Sequence, residues 1–349
     1  MKSILIMIVL LLIAGPAALA QEQAQEPQPL PVSYQLQGVR YEAQGWNNCG
    51  PATLTSALSY FGYADNQNRA AAWLKPNNED KNVSPWQMVA FVNTQIPEIP
   101  VYALERHGGT LDLLKLLVAN NFPVIIEAGY DPEPNRLGWM GHYLFVKGYD
   151  DSTSMFITND SYLGENVRYP YADIFKYWQH FNYTYMVLYD SGREPELFEL
   201  LGSDADRDQN ILNALQLAAQ EANVDRSNAF AWFNLGTNLT LLGEYQRAAL
   251  AYDEAFKAGL PWRMLWYQFG PFEAYNAVGR YNDTLQLAQR NLNDGGGQYV
   301  EETFYYGAVA RQGLGQIDRA VDNLRGALAF NPNFTPATEL LNALTGSTQ

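Results

Sequence analysis

Hydrophobic positions follow three different rules along this chain. Over residues 4–13 they are unbroken, with Lys2 ahead of them and Gly15, Pro16, Ala18, Leu19 and Ala20 behind. A basic start, a short apolar core and a small-residue exit predict a secretory signal peptide over residues 1–20, cut before Gln21. The core is short for a membrane span. Residues 21–31, rich in Gln, Glu and Pro, have little to bury and predict a linker. From residue 32 to about 194, short β-branched and aromatic runs alternate with stretches at helical spacing. From Asp204 onward only helical spacing remains.

The middle stretch predicts an α+β domain over residues 32–194. Leu54, Ala57, Leu58 and Phe61 fall on one side of an amphipathic helix over 52–61, with Pro51 suited to its first position. Short helices are expected over 66–74 and 84–93, the second capped by Ser84 ahead of Pro85. A strand follows at 101–104, then a helix capped by Thr110 that carries Leu113, Leu114, Leu117 and Val118 and stops at Asn120 and Asn121. Residues 122–128 read as a buried strand, and an irregular loop runs from Asp131 to Gly141. Strands over 143–149 and 155–158, joined by a polar turn at 150–154, predict a hairpin. An aromatic helix over 171–178 and a strand over 183–189 complete the domain, and residues 190–195 form its boundary.

The last stretch, over 204–345, repeats itself. Gly243, Gly279 and Gly315 are each 36 residues apart, and each opens a similar segment. The large, small and aromatic positions around Ala229–Gly236 and Gly243–Ala255 resemble a tetratricopeptide repeat. The middle copy is degenerate, with Pro271 and Phe272 where Leu235 and Gly236 stood. Ala214 lies 34 residues before Ala248, so residues 208–222 predict an extra leading helix. Such helix pairs bury their apolar faces only against neighbours, so the expectation is an all-α solenoid with a concave face. Trp262, Trp266, Phe269 and Phe272, between copies one and two, read as packing at helix crossings.

The formal charge of −15 argues against nucleic-acid partners and against stable contact with anionic membranes once the signal is removed. Sequons such as those at Asn82 and Asn238 carry meaning only with a known host. One cysteine changes the picture more. Cys49 has no partner for an intrachain disulfide, and in an exported protein an unpaired thiol is a candidate nucleophile. At a helix N-terminus, unpaired N–H groups and the positive end of the dipole stabilise its thiolate. Of three histidines, His142 begins one arm of the predicted hairpin, while Asn159 and Asp160 end the other. Adjacent strands stand about 4.8 Å apart, so ring and acid or amide can meet. Asp160 would then hold the ring in the tautomer that presents its other nitrogen to the sulfur, with Asn159 as competitor for that role. His107, in a glycine-bounded loop, and His180, after the aromatic helix, are weaker candidates. Three scattered histidines and one cysteine lack ligand spacing, so neither metal nor organic cofactor is expected.

Three boxes carry a further resemblance: Asn48-Cys49-Gly50-Pro51-Ala52, Gly141-His142 with the strand to Tyr149, and Phe156 to Asp160. Together they resemble the Cys, His and Asp motifs of papain-like cysteine peptidases of the bacteriocin-processing (double-glycine leader) type, and more closely the freestanding bacterial domains similar to that family. The resemblance covers about half the mature chain. It implies Cys49 as nucleophile, His142 as base, Asp160 as orienting acid, and a Gln shortly before the Cys as oxyanion donor. Gln44 fits that last role with the Cys49 N–H, at a spacing slightly shorter than expected. No ATP-binding or multi-span segment follows the boxes, so processing coupled to a transporter in one polypeptide is not expected.

The combined expectation is a secreted or periplasmic cysteine peptidase, with helical repeats recruiting a peptide or protein partner. Acyl transfer or amide hydrolysis on another substrate would use the same residues. The alternative is an inactive papain-like domain serving as a protein-binding or envelope-assembly module.

Overall fold

The computed structural model describes residues 29–131 and 138–346. The predicted signal peptide, most of the linker and the middle of the loop after Asp131 lie outside the described residues.

Among the described residues, seven strands form one antiparallel sheet: β1 (Ser33–Gln35), β2 (Val101–Arg106), β3 (Val124–Tyr130), β4 (Met140–Asp150), β5 (Met155–Asp160), β6 (Gly164–Pro170) and β7 (Tyr185–Asp190). Their order is β2-β7-β3-β4-β5-β6, with β1 beside the far end of β4. The predicted hairpin is β4–β5, and both arms are longer than expected. Pairing with β3 carries β4 back through His142, and pairing with β6 carries β5 on to Asp160, so the two residues sit inside strands. The edge strand β6 has no counterpart in the sequence reading: none of its residues is buried, so it carries no apolar alternation. Tyr183 falls outside β7, because Asn182 and Tyr183 both turn through left-handed conformations.

Helix α1 (Cys49–Leu58) packs against β4 and runs through the centre of the domain. It begins at Cys49, three residues earlier than expected, so Pro51 stands third. That position still lies in the first turn, where a missing N–H costs no helical bond. Nor is α1 amphipathic. Every residue from Gly50 to Leu58 is buried, and two of its three hydroxyls reach backbone: Thr53 donates to the Tyr143 carbonyl at 3.3 Å and Ser56 to that of Arg40 at 2.7 Å, while Thr55 finds no partner among the described residues. Helices α2 (Gln67–Leu74), α3 (Pro85–Gln95), α4 (Leu111–Ala119) and α5 (Tyr171–Trp178) lie close to their predicted positions. Ser84 and Gln87 form a reciprocal capping box on α3, and Thr110 caps α4. An unpredicted helix, α6 (Glu194–Leu201), extends the first core, since Leu197 and Leu201 are buried in it.

The remaining helices are α7 (Arg207–Val224), α8 (Ala229–Leu241), α9 (Tyr245–Ala258), α10 (Gly270–Ala277), α11 (Tyr281–Asn293), α12 (Glu301–Gly313), α13 (Ile317–Phe330) and α14 (Thr335–Thr345). Thus α7 leads, three helix pairs follow and α14 ends the stack, an all-α tetratricopeptide-like solenoid after a papain-like α+β domain. Gly243, Gly279 and Gly315 close the first helix of each pair at φ of +74°, +78° and +71°, the left-handed turn that makes glycine recur there. Within the first pair, the Tyr252 ring lies so close to Gly236 that a Cβ would stand 2.6 Å from it. In the degenerate pair, α10 is short, and the preceding segment coils as a 3-10 turn at Trp262–Trp266. Trp266 and Phe272 pack as expected; Trp262 remains 42% exposed.

Domain and repeats share a built interface. Asn182 and Asn238 exchange amide hydrogen bonds at 2.8 and 3.0 Å, the Asn210 side chain pairs with the backbone of His107, and Tyr183 donates to Glu221 at 2.5 Å. At the other end of the solenoid, Asn82 and Ser84 donate to Glu302, and Asn331 donates to the Leu74 carbonyl. Because Asn82 and Asn238 are buried in these contacts, neither sequon is open to a glycan in the folded chain.

Candidate active site

The loop before α1 is fixed from one side chain. Gln67, at the start of α2, accepts from the Gly45 N–H at 2.7 Å and from the Asn48 amide at 2.6 Å, and donates to the Ala43 carbonyl at 2.7 Å. Asn47 turns through φ of +53°, and the chain enters α1 with Cys49 as its first residue. Cys49 as a residue is half-buried.

His142 meets it from β4. Its Nε2 pairs with Asp160 Oδ1 at 2.9 Å, which leaves Nδ1 as the ring nitrogen free to take the Cys49 proton. Leu144, two residues on, is the β-partner of Asp160, so ring and carboxylate share one face of the hairpin. Asn159 points elsewhere: its amide donates to Ser56 of α1 at 3.1 Å. Asp160, fully buried, also accepts from the N–H groups of Tyr162 and Leu163 at 2.9 and 3.0 Å and from the Tyr169 hydroxyl at 2.5 Å.

The electrostatics follow from this packing. Burial would raise the Asp160 carboxyl, but the His142 charge and these donors outweigh it and hold its pKa down to about 2. Burial would likewise lower His142, yet Asp160 and then Cys49 raise it to about 10. For Cys49, burial alone would push the thiol up. The hydrogen bond and charge of His142, with the backbone N–H groups of Tyr143 and Gly50, turn the balance and lower it. Both shifts favour a thiolate–imidazolium pair.

Gln44 is tied to the residue after the acid. Its N–H donates to the Ser161 carbonyl at 2.8 Å, and its Oε1 accepts from Ser161 Oγ at 2.9 Å, so both Nε2 hydrogens stay uncommitted. The other two histidines are elsewhere. His107 pairs with Thr184 at 2.9 Å and is lowered to about 4 by burial. His180 accepts from the Trp139 indole at 2.9 Å, stacks on Phe230 at 3.6 Å, and is lowered by burial to about 3. Among the described residues, no group of three or more His, Cys, Asp or Glu side chains could hold a metal.

Residues 30–186 match the Peptidase_C39-like family. That match spans all three boxes of the C39-like domain and ends in β7. Among solved structures, a chain described as a C39-like peptidase from Bacillus anthracis is similar at 14% identity and a TM-score of 0.37, over 45% of this chain and 97% of that one. MamA from Desulfovibrio magneticus RS-1 is similar at 16% identity and a TM-score of 0.35, over 44% of this chain and 84% of that one. No curated protein matches this chain.

Three side chains around the site of the C39-like domain carry no sequence signal. Tyr169 belongs to the unpredicted β6. Glu127 of β3 is the β-partner of Tyr143; burial first, then the charges of Glu105 and Cys49, push its carboxyl well above the usual range. Tyr267 comes from the repeats: a Cβ on Gly141 would stand 2.9 Å from its ring, so the degenerate copy lies directly against the strand that bears His142.

Proposed function

We propose that this chain is an exported cysteine peptidase, with the solenoid recruiting a peptide or protein partner. The observation that carries the reading is the His142 ring, hydrogen-bonded through Nε2 to the buried Asp160 and coupled electrostatically to Cys49. The Cys49 thiolate attacks a peptide carbonyl, and the oxyanion accepts from the Cys49 N–H and Gln44 Nε2. The C–N bond breaks as His142 gives its proton to the departing amine, leaving a thioester. Water then attacks that thioester with His142 as base, releasing the acid and restoring the thiol with its proton shared to the ring. No metal or organic cofactor enters these steps.

A second reading, an inactive binding module, draws support from Tyr267, which crowds Gly141 beside the reacting residues. One experiment separates the two. The chain lacking residues 1–20 is incubated near neutral pH with an iodoacetamide probe and with a peptide library, beside Cys49→Ala and His142→Ala. A peptidase labels at Cys49, loses most of that labelling in His142→Ala, and cleaves peptides that Cys49→Ala leaves whole. A Cys49 that labels equally well without His142, with no cleavage, overturns the catalytic reading.

A further inference from the structure

Between α2 and α3 the loop of residues 75–84 makes contacts in two directions. Toward the nucleophile it braces the turn before α1. Asn47 donates to the carbonyls of Asn78 and Glu79 at 3.2 and 3.4 Å, and Tyr143 donates to that of Val83 at 2.7 Å. The Val83 side chain also packs on α1, 3.3 Å from where a Cβ on Gly50 would stand. Toward the solenoid the loop meets the first turn of α12, and three carboxyls gather there: Asp80, Glu301 and Glu302, which are 1%, 2% and 3% exposed. The side chains that bond them are neutral. Asn82 and Ser84 donate to Glu302 Oε1 at 3.2 and 3.4 Å, and Asn331 donates to Glu301 Oε1 at 2.6 Å. The Asn82 N–H donates to Asp80 at 3.0 Å. The second oxygens of Glu301 and Glu302 are buried without a donor.

Two ammonium groups face this cluster. Lys81 is turned to Glu79 at 4.0 Å and to the Trp46 ring. That leaves Lys75, which is buried, bonds the Asn78 carbonyl at 3.4 Å and acts electrostatically on both Asp80 and Cys49. The Tyr306 hydroxyl faces Glu302, and burial keeps it protonated. One cation cannot hold three carboxylates out of water, so the packed cluster must keep protons. The opposite end of the interface is different in kind. There Asn182 and Asn238 pair as neutral amides, Asn210 bonds the backbone of His107, and burial keeps the Tyr183 phenol protonated against Glu221.

We propose that Asp80, Glu301 and Glu302 form a proton-held clasp that fastens the third helix pair to the loop bracing Cys49, and that rising pH releases this end of the solenoid while the amide-linked end stays docked. Burial is the first cause that raises each of the three carboxyls. The closed form therefore keeps protons that the open form sheds above about pH 4, and closure weakens as pH rises, by roughly tenfold per pH unit for each proton retained. Lys75, lowered first by burial, works in the opposite sense and offsets one carboxyl of the three. The clasp borders a cavity of about 610 Å³ between domain and repeats, with Ser84 and Trp86 on one wall and Phe269 and Tyr306 on the other. Release opens that space. None of this requires Cys49 to be catalytic.

The test is hydrogen exchange on the full chain between about pH 5 and pH 9, expressed as protection factors so that the intrinsic pH dependence of exchange cancels. In the wild type, segments 80–84 and 301–304 should lose at least about tenfold in protection across that range. The His107 amide, which donates to Asn210 across the other end at 2.9 Å, should stay protected. Asp80→Asn and Glu302→Gln keep an accepting oxygen for Asn82 and Ser84 but remove a titrating group. Each should hold its protection where the wild type loses it. Flat wild-type protection across the range, an equal loss at His107, or variants that follow the wild-type profile would each overturn the clasp. Should either variant fail to fold, the comparison of the two ends in the wild type still decides.

Discussion

Replacing Asp160 with Asn tests the charge on the triad while keeping its shape. Oδ1 can still accept from Tyr162, Leu163 and His142, and a carboxamide can still orient an imidazole. What disappears is the negative charge. His142 moves from an ordinary 6.5 to about 10 against the pull of burial, with Asp160 the leading favourable cause and Cys49 the next. That displacement corresponds to roughly 5 kcal/mol in favour of the imidazolium. If Asp160 supplies half, its loss withdraws about 2–3 kcal/mol, or on the order of a hundredfold in the population of the thiolate–imidazolium pair near neutral pH. The assay is the rate of Cys49 alkylation by iodoacetamide across pH. Wild type should react well below the pH at which an ordinary thiol ionises, whereas Asp160→Asn should lose about two orders of magnitude near pH 6 and converge with wild type near pH 10. Circular dichroism checks that the variant is folded. A folded Asp160→Asn with the wild-type pH profile would show that the buried carboxylate does not sustain the ion pair.

Other outcomes follow from the same contacts. Gln44→Ala should lower peptide turnover by about 10²–10³ while leaving Cys49 alkylation nearly unchanged, because Nε2 is asked to act only on the oxyanion; equal losses in both would make it a loop brace. Asn238→Ala strands two buried amide atoms of Asn182 and should cost about 1–3 kcal/mol in urea unfolding. Tyr267→Ala should raise the alkylation rate with a bulky maleimide more than with iodoacetamide, and an unchanged ratio would deny the ring a role as wall. Asp80, Glu127 and Glu302 are raised well above the carboxylate range, mainly by burial. The folded chain therefore keeps protons that the unfolded chain releases, so their contribution is full below about pH 4 and is lost as pH rises through the folded values. The Tm should fall as pH rises above about 5, and Asp80→Asn should flatten the slope.

The legible parts of this sequence are those where a local rule decides. Ser84 and Thr110 cap helices because a side-chain oxygen beside an orphan N–H needs no knowledge of the fold. Gly243, Gly279 and Gly315 could be read from their period alone. His142 and Asp160 could be paired from the polarity of a hairpin, and the structure distinguishes Asp160 from Asn159 by strand alternation. Other features depend on packing that spacing does not encode. Helix α1 carries apolar positions at helical intervals, yet the domain closes over its polar side too, which only the positions of Tyr143 and Arg40 reveal. Strand β6 lacks an apolar face and exists because β5 offers it hydrogen bonds. Glu127 and Gln67 sit far from the three boxes in sequence, and their positions follow from strand register and helix docking.

The degenerate second repeat is where these levels meet. A regular copy needs a small residue in its first helix against the tyrosine of the second, as Gly236 lies against Tyr252. At the corresponding place the second copy has Phe272, and the chain ahead of it, from Trp262 to Phe269, leaves the α-helical path for a 3-10 turn and a short irregular stretch. Read as repeat decay, that segment should be loosely packed. Instead Trp266 is 5% exposed, Tyr267 lies against Gly141, and Gln268 donates to the His180 carbonyl at 2.9 Å. The irregularity occurs where the solenoid must meet the strand bearing His142, and a straight helix there would project no aromatic ring into that contact. Restoring the regular pattern by grafting residues 229–241 over 265–277 should therefore preserve helicity but loosen the contact with the C39-like domain. Hydrogen exchange of the β4 amides would register that change, and β4 protection equal to wild type would mean that the second repeat had simply decayed.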